Sequence, residues 1–307
     1  MYAFITPIHI KSGDKMYIDF FKKTAESIIN QSDSDWVWII VDDFSNNEEL
    51  DGIIANIAEK YSPKVIYSKN QSNLGPGISR NRGIEIANEL GAKVIMYIDA
   101  DDIAHLDRVK LTKEIFDNSD TGVLYSGFIP IDQNDDVICD DMLSYSIKDI
   151  IKADRENPPQ GKDVWKIIGI STGYVNMTSS TSVRIDYALK IPFPGRRASE
   201  DAYTWMLYSA YGAKFSYTDK IPCLYRIPLN TEGSSSRSYV GKENFYKELA
   251  NTNTEAFKKC IEYALSYESI KKDEAVTLLK LFYKRLADTL KGEGQTDLAE
   301  KYYQSAM

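Results

Sequence analysis

The densest chemistry in this sequence is Asp99-Ala100-Asp101-Asp102, which follows the apolar run Val94–Ile98. Alternate residues of an extended segment point the same way, so Asp99 and Asp101 face one side. Two carboxylates held together repel, and one gains a proton unless a cation neutralises them. A hard divalent ion with oxygen ligands, Mg²⁺ or Mn²⁺, meets that need and can carry phosphates. The competing reading is a solvated acidic turn that caps the next helix.

Two further acidic pairs stand out. Asp42-Asp43 closes the run Trp36–Val41, where a carboxylate can accept from a base N–H or a sugar hydroxyl, or simply form an Asx turn or helix cap. Glu200-Asp201 opens the helical stretch Asp201–Tyr211, where an acid is either a first-turn cap or a general base. Between them, Asn73–Gly83 combines a glycine-rich loop with Arg80 and Arg82, and Tyr225-Arg226 precedes Ser234-Ser235-Ser236-Arg237. Arginines there can reach a base or phosphate. The loop lacks the Gly-Lys-Ser/Thr ending of a P-loop, and no Gly-x-Ser-x-Gly elbow is present. Of the two histidines, His105 reads as structural and His9 as a pocket-lining residue.

Elements that can position these groups alternate along the first 130 or so residues. Strands are read at Ala3–Ile10, Trp36–Val41, Lys64–Ser68, Val94–Ile98 and Val123–Ile131, and helices at Tyr17–Asn30, Glu48–Tyr61, Ile78–Leu90 and Asp107–Phe116. That alternation predicts a parallel sheet with helices on both faces and ligands at the carboxyl ends of the strands. Residues 132–165 read as a polar, acidic excursion. The domains expected are 1–227, a Gly/Ser-rich loop over 228–240, and a helical extension over 241–307 with a stripe of Leu278, Leu279, Phe282, Leu286 and Leu290. The stripe packs on the rest of the chain, or serves self-association or peripheral membrane contact beside local lysines.

Composition narrows the classes. The 307 residues are 43% hydrophobic and 27% charged, which is ordinary globular usage. Three dispersed cysteines do not suggest a disulfide framework or a zinc site. A net charge of -8 disfavours a nucleic-acid partner. With no basic leader before the first apolar run and no bilayer-length apolar stretch, a cytoplasmic location is expected.

In order, ITPIHI, IIVDDFS, NLGPGISRNRGIEIAN, YIDADDIAHLDRV, SEDAYTWML and LYRIPLNTEGSSSR resemble the inverting glycosyltransferases of family 2, over roughly residues 3–240. The resemblance implies a GT-A fold, that is, a Rossmann-like, mostly parallel sheet flanked by helices, here with a C-terminal helical appendage. It implies a nucleoside-diphosphate sugar donor, most often uridine-linked, a glycan or lipid-linked glycan acceptor, and Mn²⁺ or Mg²⁺. It places Thr6, Pro7, Asp43, Arg80, Asp99, Ala100 and Arg226 at the nucleotide, with Arg226 and the serine-rich segment over the diphosphate. Asp101 with Asp99 falls at the metal, and Asp201 becomes the catalytic base with Glu200 in support. Two departures stand out: Phe44 where a glycine is common, and Ile227–Asn230 where many relatives have a histidine. A sugar-nucleotide-forming nucleotidyltransferase and a non-catalytic scaffold of the same fold are the alternatives. The first would need a basic, glycine-rich first loop, and TPIHIKSGDK holds one glycine.

Overall fold

Long apolar runs with β-branched residues make strands buried on both faces, and the first two show it. In a computed structural model describing residues 1–229 and 240–307, β1 (Tyr2–Ile8) and β2 (Trp36–Asp42) are buried at every position. With β3 (Val65–Lys69) and β4 (Val94–Tyr97) they form a parallel set in the order β3-β2-β1-β4. The helices between them are α1 (Lys15–Ile29), α2 (Glu48–Lys60) and α3 (Pro76–Glu89), followed by α4 (Arg108–Asp117). Asp14 and Asn47 begin α1 and α2 by accepting the backbone N–H of Tyr17 and Leu50. Gly83 lets α3 lie close on β1, since a Cβ there would come 2.5 Å from Ile5 Cγ2. Phe4, Phe21, Trp38, Ile40, Leu50 and Met96 fill the core on one side of these strands.

The sheet continues as β6 (Thr181–Arg184), β5 (Val123–Ile131) and β7 (Phe215–Arg226). Beyond β4 the mostly parallel sheet takes in a reversed strand. β6 runs antiparallel to both β4 and β5, so the seven-stranded sheet is mixed. β6 is four residues long and reads TSVR, which carries no apolar run to announce a strand.

The chain divides into two compact units. Unit one is Met1–Val137, Asn176–Gly195 and Thr218–Leu229, and unit two is Ile138–Val175, Arg196–Tyr217 and Asn230–Met307. The excursion read at 132–165 thus belongs mainly to unit two, where it folds as helix α5 (Tyr145–Glu156) and the one-turn α6 (Val164–Ile167). α7 (Ile185–Lys190) lies in unit one.

Unit two also holds α8 (Glu200–Ala210), α9 (Lys242–Ser266), α10 (Lys272–Gly292) and α11 (Thr296–Ala306). The predicted stripe is spent inside this unit. Leu278, Phe282, Leu286 and Leu290 are buried, and Phe282 stacks on Phe257 at 4.5 Å between ring centroids. Phe257 in turn packs on Trp165 and covers Gly169, where a Cβ would sit 2.0 Å from the ring. Arg285 Nε donates to Gly169 O at 3.0 Å, and burial pulls the Arg285 pKa down to about 10. Among the described residues no helix is long and apolar enough to cross a membrane. The serine-rich segment expected over the diphosphate lies outside the described residues, apart from its two ends.

Candidate active site

Register brings the first acids together. Tyr2 pairs with Trp36 on one side and Val94 on the other, so β1, β2 and β4 advance in step. Their carboxyl ends emerge at one edge, where Asp43 N donates to Ile8 O at 2.7 Å and Ile98 N to Ile5 O at 3.1 Å. Thr6, Pro7, Asp43 and the Asp99 turn therefore share one edge of unit one, as expected for a sheet of this type.

The two acids after β2 divide the work. Asp42 Oδ1 accepts from Ser45 N at 2.8 Å and from Ser45 Oγ, while Oδ2 accepts from Tyr67 and pairs with Lys69 at 3.0 Å. Asp42 is thus the turn former, and it holds Phe44 in the left-handed region at φ 64°. Asp43 is buried, and its carboxylate takes Asn70 Nδ2 (2.8 Å), Leu74 N (2.8 Å) and Gly75 N (2.7 Å). Gly75, at φ 95°, begins α3 with no side-chain cap, so Asp43 supplies from a distance the anionic partner that a helix start favours. His9 is exposed, with Nδ1 2.9 Å from Asp43 O. Thr6 is fully buried and its hydroxyl accepts the Trp38 indole N–H at 2.9 Å.

Helix α3 links the β2 acid to the β4 acid through adjacent residues. Asn70 Nδ2 donates to Ser79 Oγ at 2.9 Å as well as to Asp43, and the next residue, Arg80, donates to Asp99 Oδ1 at 2.7 Å. The Arg80 side chain is 4% exposed and lies over the Phe193 ring at 5.4 Å. Asp99 N donates to Ser179 Oγ. The following acids differ from Asp99. Burial and the Asp99 charge push Asp101 up to about 7. Asp102, 1% exposed, is raised well above the carboxylate range by burial and by Asp101 and Asp99. Its Oδ1 accepts Arg226 N at 2.7 Å, and its backbone O accepts Thr24 Oγ1 at 2.7 Å. Ala100 is half-buried between them.

Arg226 meets different partners from those the resemblance implies. Its side chain is fully buried, with Nε on Asp101 O (2.8 Å), Nη1 on Asp132 O (2.7 Å) and Nη1 2.6 Å from Asp135 Oδ1. Two of the three guanidinium nitrogens are thereby bound to protein oxygens rather than held open for a diphosphate. Sequence reasoning missed Asp132, Asp135, Lys23 and Ser179. Asp132-Gln133-Asn134-Asp135 carried an Asx-turn signature, but nothing in its spacing pointed to Arg226.

Glu200 and Asp201 lie in unit two, in the first turn of α8, where acids are favoured. The turn into the helix is held by Ser199, left-handed at φ 62°, whose Oγ bonds Tyr174 Oη at 2.7 Å and Asn253 Oδ1 at 2.8 Å. Glu200 is buried, whereas Asp201 is half-buried with Oδ1 accepting its neighbour's N–H, Ala202 N, at 2.7 Å. Burial, with the charge of Asp201 adding to it, raises the Tyr174 pKa beyond the usual phenol range.

Among the described residues no group of three or more His, Cys, Asp and Glu side chains is disposed to hold a metal. Mg²⁺ and Mn²⁺ do not need such a cage, because one or two carboxylates and substrate phosphates suffice. The residues present fit that pattern. Asp99 already has a cation in Arg80, while among the described residues no ion pair reaches Asp101 or Asp102 and the buried Asp102 Oδ2 has no hydrogen bond.

Comparison with known proteins agrees with this architecture. Residues 5–164 match the family described as glycosyl transferase family 2. An uncharacterised glycosyltransferase of Methanocaldococcus jannaschii is 30% identical over 229 residues, covering 74% of this chain and 71% of that protein. S. aureus TarS 1-349 in complex with UDP-GlcNAc superposes with a TM-score of 0.58 at 17% identity, over 100% of this chain and 92% of that one. The mannosyltransferase PcManGT from Pyrobaculum calidifontis, in complex with GDP-Man and Mn²⁺, gives a TM-score of 0.52 at 12% identity, over 99% and 85% of the two chains. At such identities the structures speak for the fold, and the family match speaks for the chemistry. With a mixed sheet flanked by helices and its acids gathered after β2 and β4, the chain belongs to glycosyl transferase family 2 and is a glycosyltransferase of GT-A fold.

Proposed function

We propose that the chain is a metal-assisted, inverting glycosyltransferase. It moves a sugar from a nucleoside-diphosphate sugar, UDP-linked in our reading, to a hydroxyl of a glycan or lipid-linked glycan. The observation that carries this is the contrast within the β4 turn: Arg80 pairs with Asp99, while among the described residues no ion pair reaches Asp101. Asp101 would hold Mn²⁺ or Mg²⁺, with Asp99 close to the ribose. When bound, the ion would offset the charge gathering on the departing diphosphate. The donors in the TarS and PcManGT complexes, UDP-GlcNAc and GDP-Man, support the donor class.

Thr6, Pro7, Asp43, Arg80 and Ala100 surround the nucleotide in this reading. An ionised carboxylate offers about four acceptor sites. Asp43 spends three of them on Asn70, Leu74 and Gly75, so it fixes the loop and keeps one site for the base. Asp201, with Glu200 behind it in the α8 first turn, takes the proton of the acceptor hydroxyl. The acceptor oxygen bonds to the anomeric carbon as the bond from that carbon to the diphosphate oxygen breaks. The electron pair leaves on the nucleoside diphosphate, and one displacement inverts configuration.

The test separates binding from transfer. Asp201→Asn is expected to lower transfer by about 10²–10⁴-fold, the usual worth of a general base, with UDP affinity unchanged. Screening UDP- and GDP-sugars for slow hydrolysis identifies the donor. Wild-type transfer in Asp201→Asn overturns the base assignment, and no nucleotide-sugar turnover in the parent chain overturns the function.

A further inference from the structure

Three segments far apart in the chain meet at Asp135. The residue sits in a turn set by Asp132, whose Oδ1 accepts Asn134 N (2.7 Å) and Asp136 N (3.0 Å) and whose N–H donates to Asp136 O (2.8 Å). Asp135 itself is left-handed, at φ 73°. Its carboxylate accepts from Lys23 Nζ of α1 and forms an ion pair with Arg226 Nη1 from the end of β7. The Arg226 guanidinium, over the Phe20 ring at 4.3 Å, then reaches two ways. Nη1 holds Asp132 O, and Nε holds Asp101 O. The backbone N–H of the same residue holds Asp102 Oδ1.

The energetics make Asp135 necessary to this arrangement. A buried guanidinium stripped of its carboxylate partner is strongly unfavourable, because the remaining charge is left without compensation. Asp135 is the one carboxylate that touches the Arg226 guanidinium among the described contacts, and Lys23 steadies it from the other side. Without Asp135, Arg226 would move toward solvent or toward the other acids. Either movement releases Asp101 O from Nε, and with it the backbone of the β4 turn that sets the direction of the Asp101 carboxyl group.

We propose that Lys23, Asp135 and Arg226 form an ionic clamp that, through Asp101 O, positions the Asp101 carboxylate for the divalent cation. The inference rests on the reading of Asp101 as the residue that holds the ion. All three are positioning residues and need touch neither nucleotide nor ion. The clamp also separates two roles for Arg226. A diphosphate ligand would be freed by loss of Asp135, and nucleotide binding without metal would hold or improve. A positioning residue would instead lose the metal-dependent part of binding.

The experiment titrates the parent chain, Asp135→Asn, Asp135→Glu and Lys23→Met with UDP and with GDP, with and without Mn²⁺, by calorimetry. Residues that orient metal ligands are typically worth 10–100-fold in metal affinity. Asp135→Asn is therefore expected to cut the Mn²⁺-dependent gain in nucleotide affinity by about tenfold or more, and to leave metal-free affinity within about twofold. Asp135→Glu, which keeps the charge, restores part of that gain. Lys23→Met, at a side chain 40% exposed, gives a smaller loss in the same direction and serves if Asp135→Asn does not fold. A folded Asp135→Asn, or failing that Lys23→Met, with the full Mn²⁺-dependent gain overturns the clamp alone. A parent chain that binds either nucleotide with no Mn²⁺-dependent gain, or binds neither, overturns the metal reading and the clamp with it.

Discussion

Asp154 offers a sharp test of the electrostatics of unit two. The residue lies in α5, 7% exposed, and neither carboxylate oxygen has a hydrogen-bond partner among the described residues. Burial alone raises its pKa from 3.8 to about 7. Because the folded value is the higher one, the folded chain binds more protons between those limits. This group's contribution to stability is full below the unfolded pKa and falls as pH rises toward the folded pKa, then levels off above it. The gap of 3.8 to about 7 corresponds to about 4 kcal/mol at full loss, and relaxation of the helix and entry of water bring it to about 2–4 kcal/mol. Asp154→Asn keeps the shape and stays neutral, so its advantage over the parent grows with pH. At about pH 3.5, below the unfolded pKa, the two should melt within about 1 kcal/mol of each other. At about pH 8 the variant should lead by about 2–4 kcal/mol, several degrees in the melting temperature, with each kcal/mol worth about 2–4 °C. Circular dichroism melts at both pH values measure this, and subtracting parent from variant removes the groups they share. An equal gap at both pH values, or a parent that gains on the variant as pH rises, refutes the reasoning.

Three more predictions follow from local geometry. Phe44→Gly relieves a left-handed aromatic residue at φ 64° whose side chain is 47% exposed, and should raise stability by about 1 kcal/mol in thermal melts; a loss of stability would count against the strain. Asp43→Asn cannot satisfy Asn70, Leu74 and Gly75 together, since its amide nitrogen meets an N–H. It should cost about 1–3 kcal/mol by urea denaturation, and a cost near zero would show that the loop does not depend on this carboxylate. Gly169→Ala brings a methyl 2.0 Å from the Phe257 ring and should cost about 1–3 kcal/mol, visible as a lower denaturation midpoint, with an unchanged midpoint as the contrary result.

Much of the frame was legible because apolar runs and acids alternate so regularly. WVWIIV and VIMY became β2 and β4, and the acids after them fell at one edge because the strands run parallel and in register. The division of labour between Asp42 and Asp43 was not legible, since both read as DD; only the fold shows that one shapes its own turn and the other holds a distant helix start. Helix α5 was hidden because Ile147, Ile150 and Ile151 sit among charges in a stretch whose overall composition looks like loop. The reversal at β6 was hidden because polar TSVR is stabilised by its sheet neighbours rather than by its own pattern. The Lys23–Asp135 pair spans 112 positions, a distance at which spacing carries no information. The site acids were legible by type, while the partners that orient them belong to the tertiary fold.

The stacking of Phe282 on Phe257, and of Phe257 over Gly169 and against Trp165, bears on how the protein can be shortened. The last sixty or so residues are half of a shared interior, to which Ile138–Val175 and Arg196–Tyr217 contribute the rest. A chain ended after Gly241 would present an indole and a bare backbone carbonyl to water where aromatic rings and a guanidinium now sit. Trimming at Gly241 would therefore leave an open wound in unit two, and a minimal enzyme has to keep its C-terminal helices.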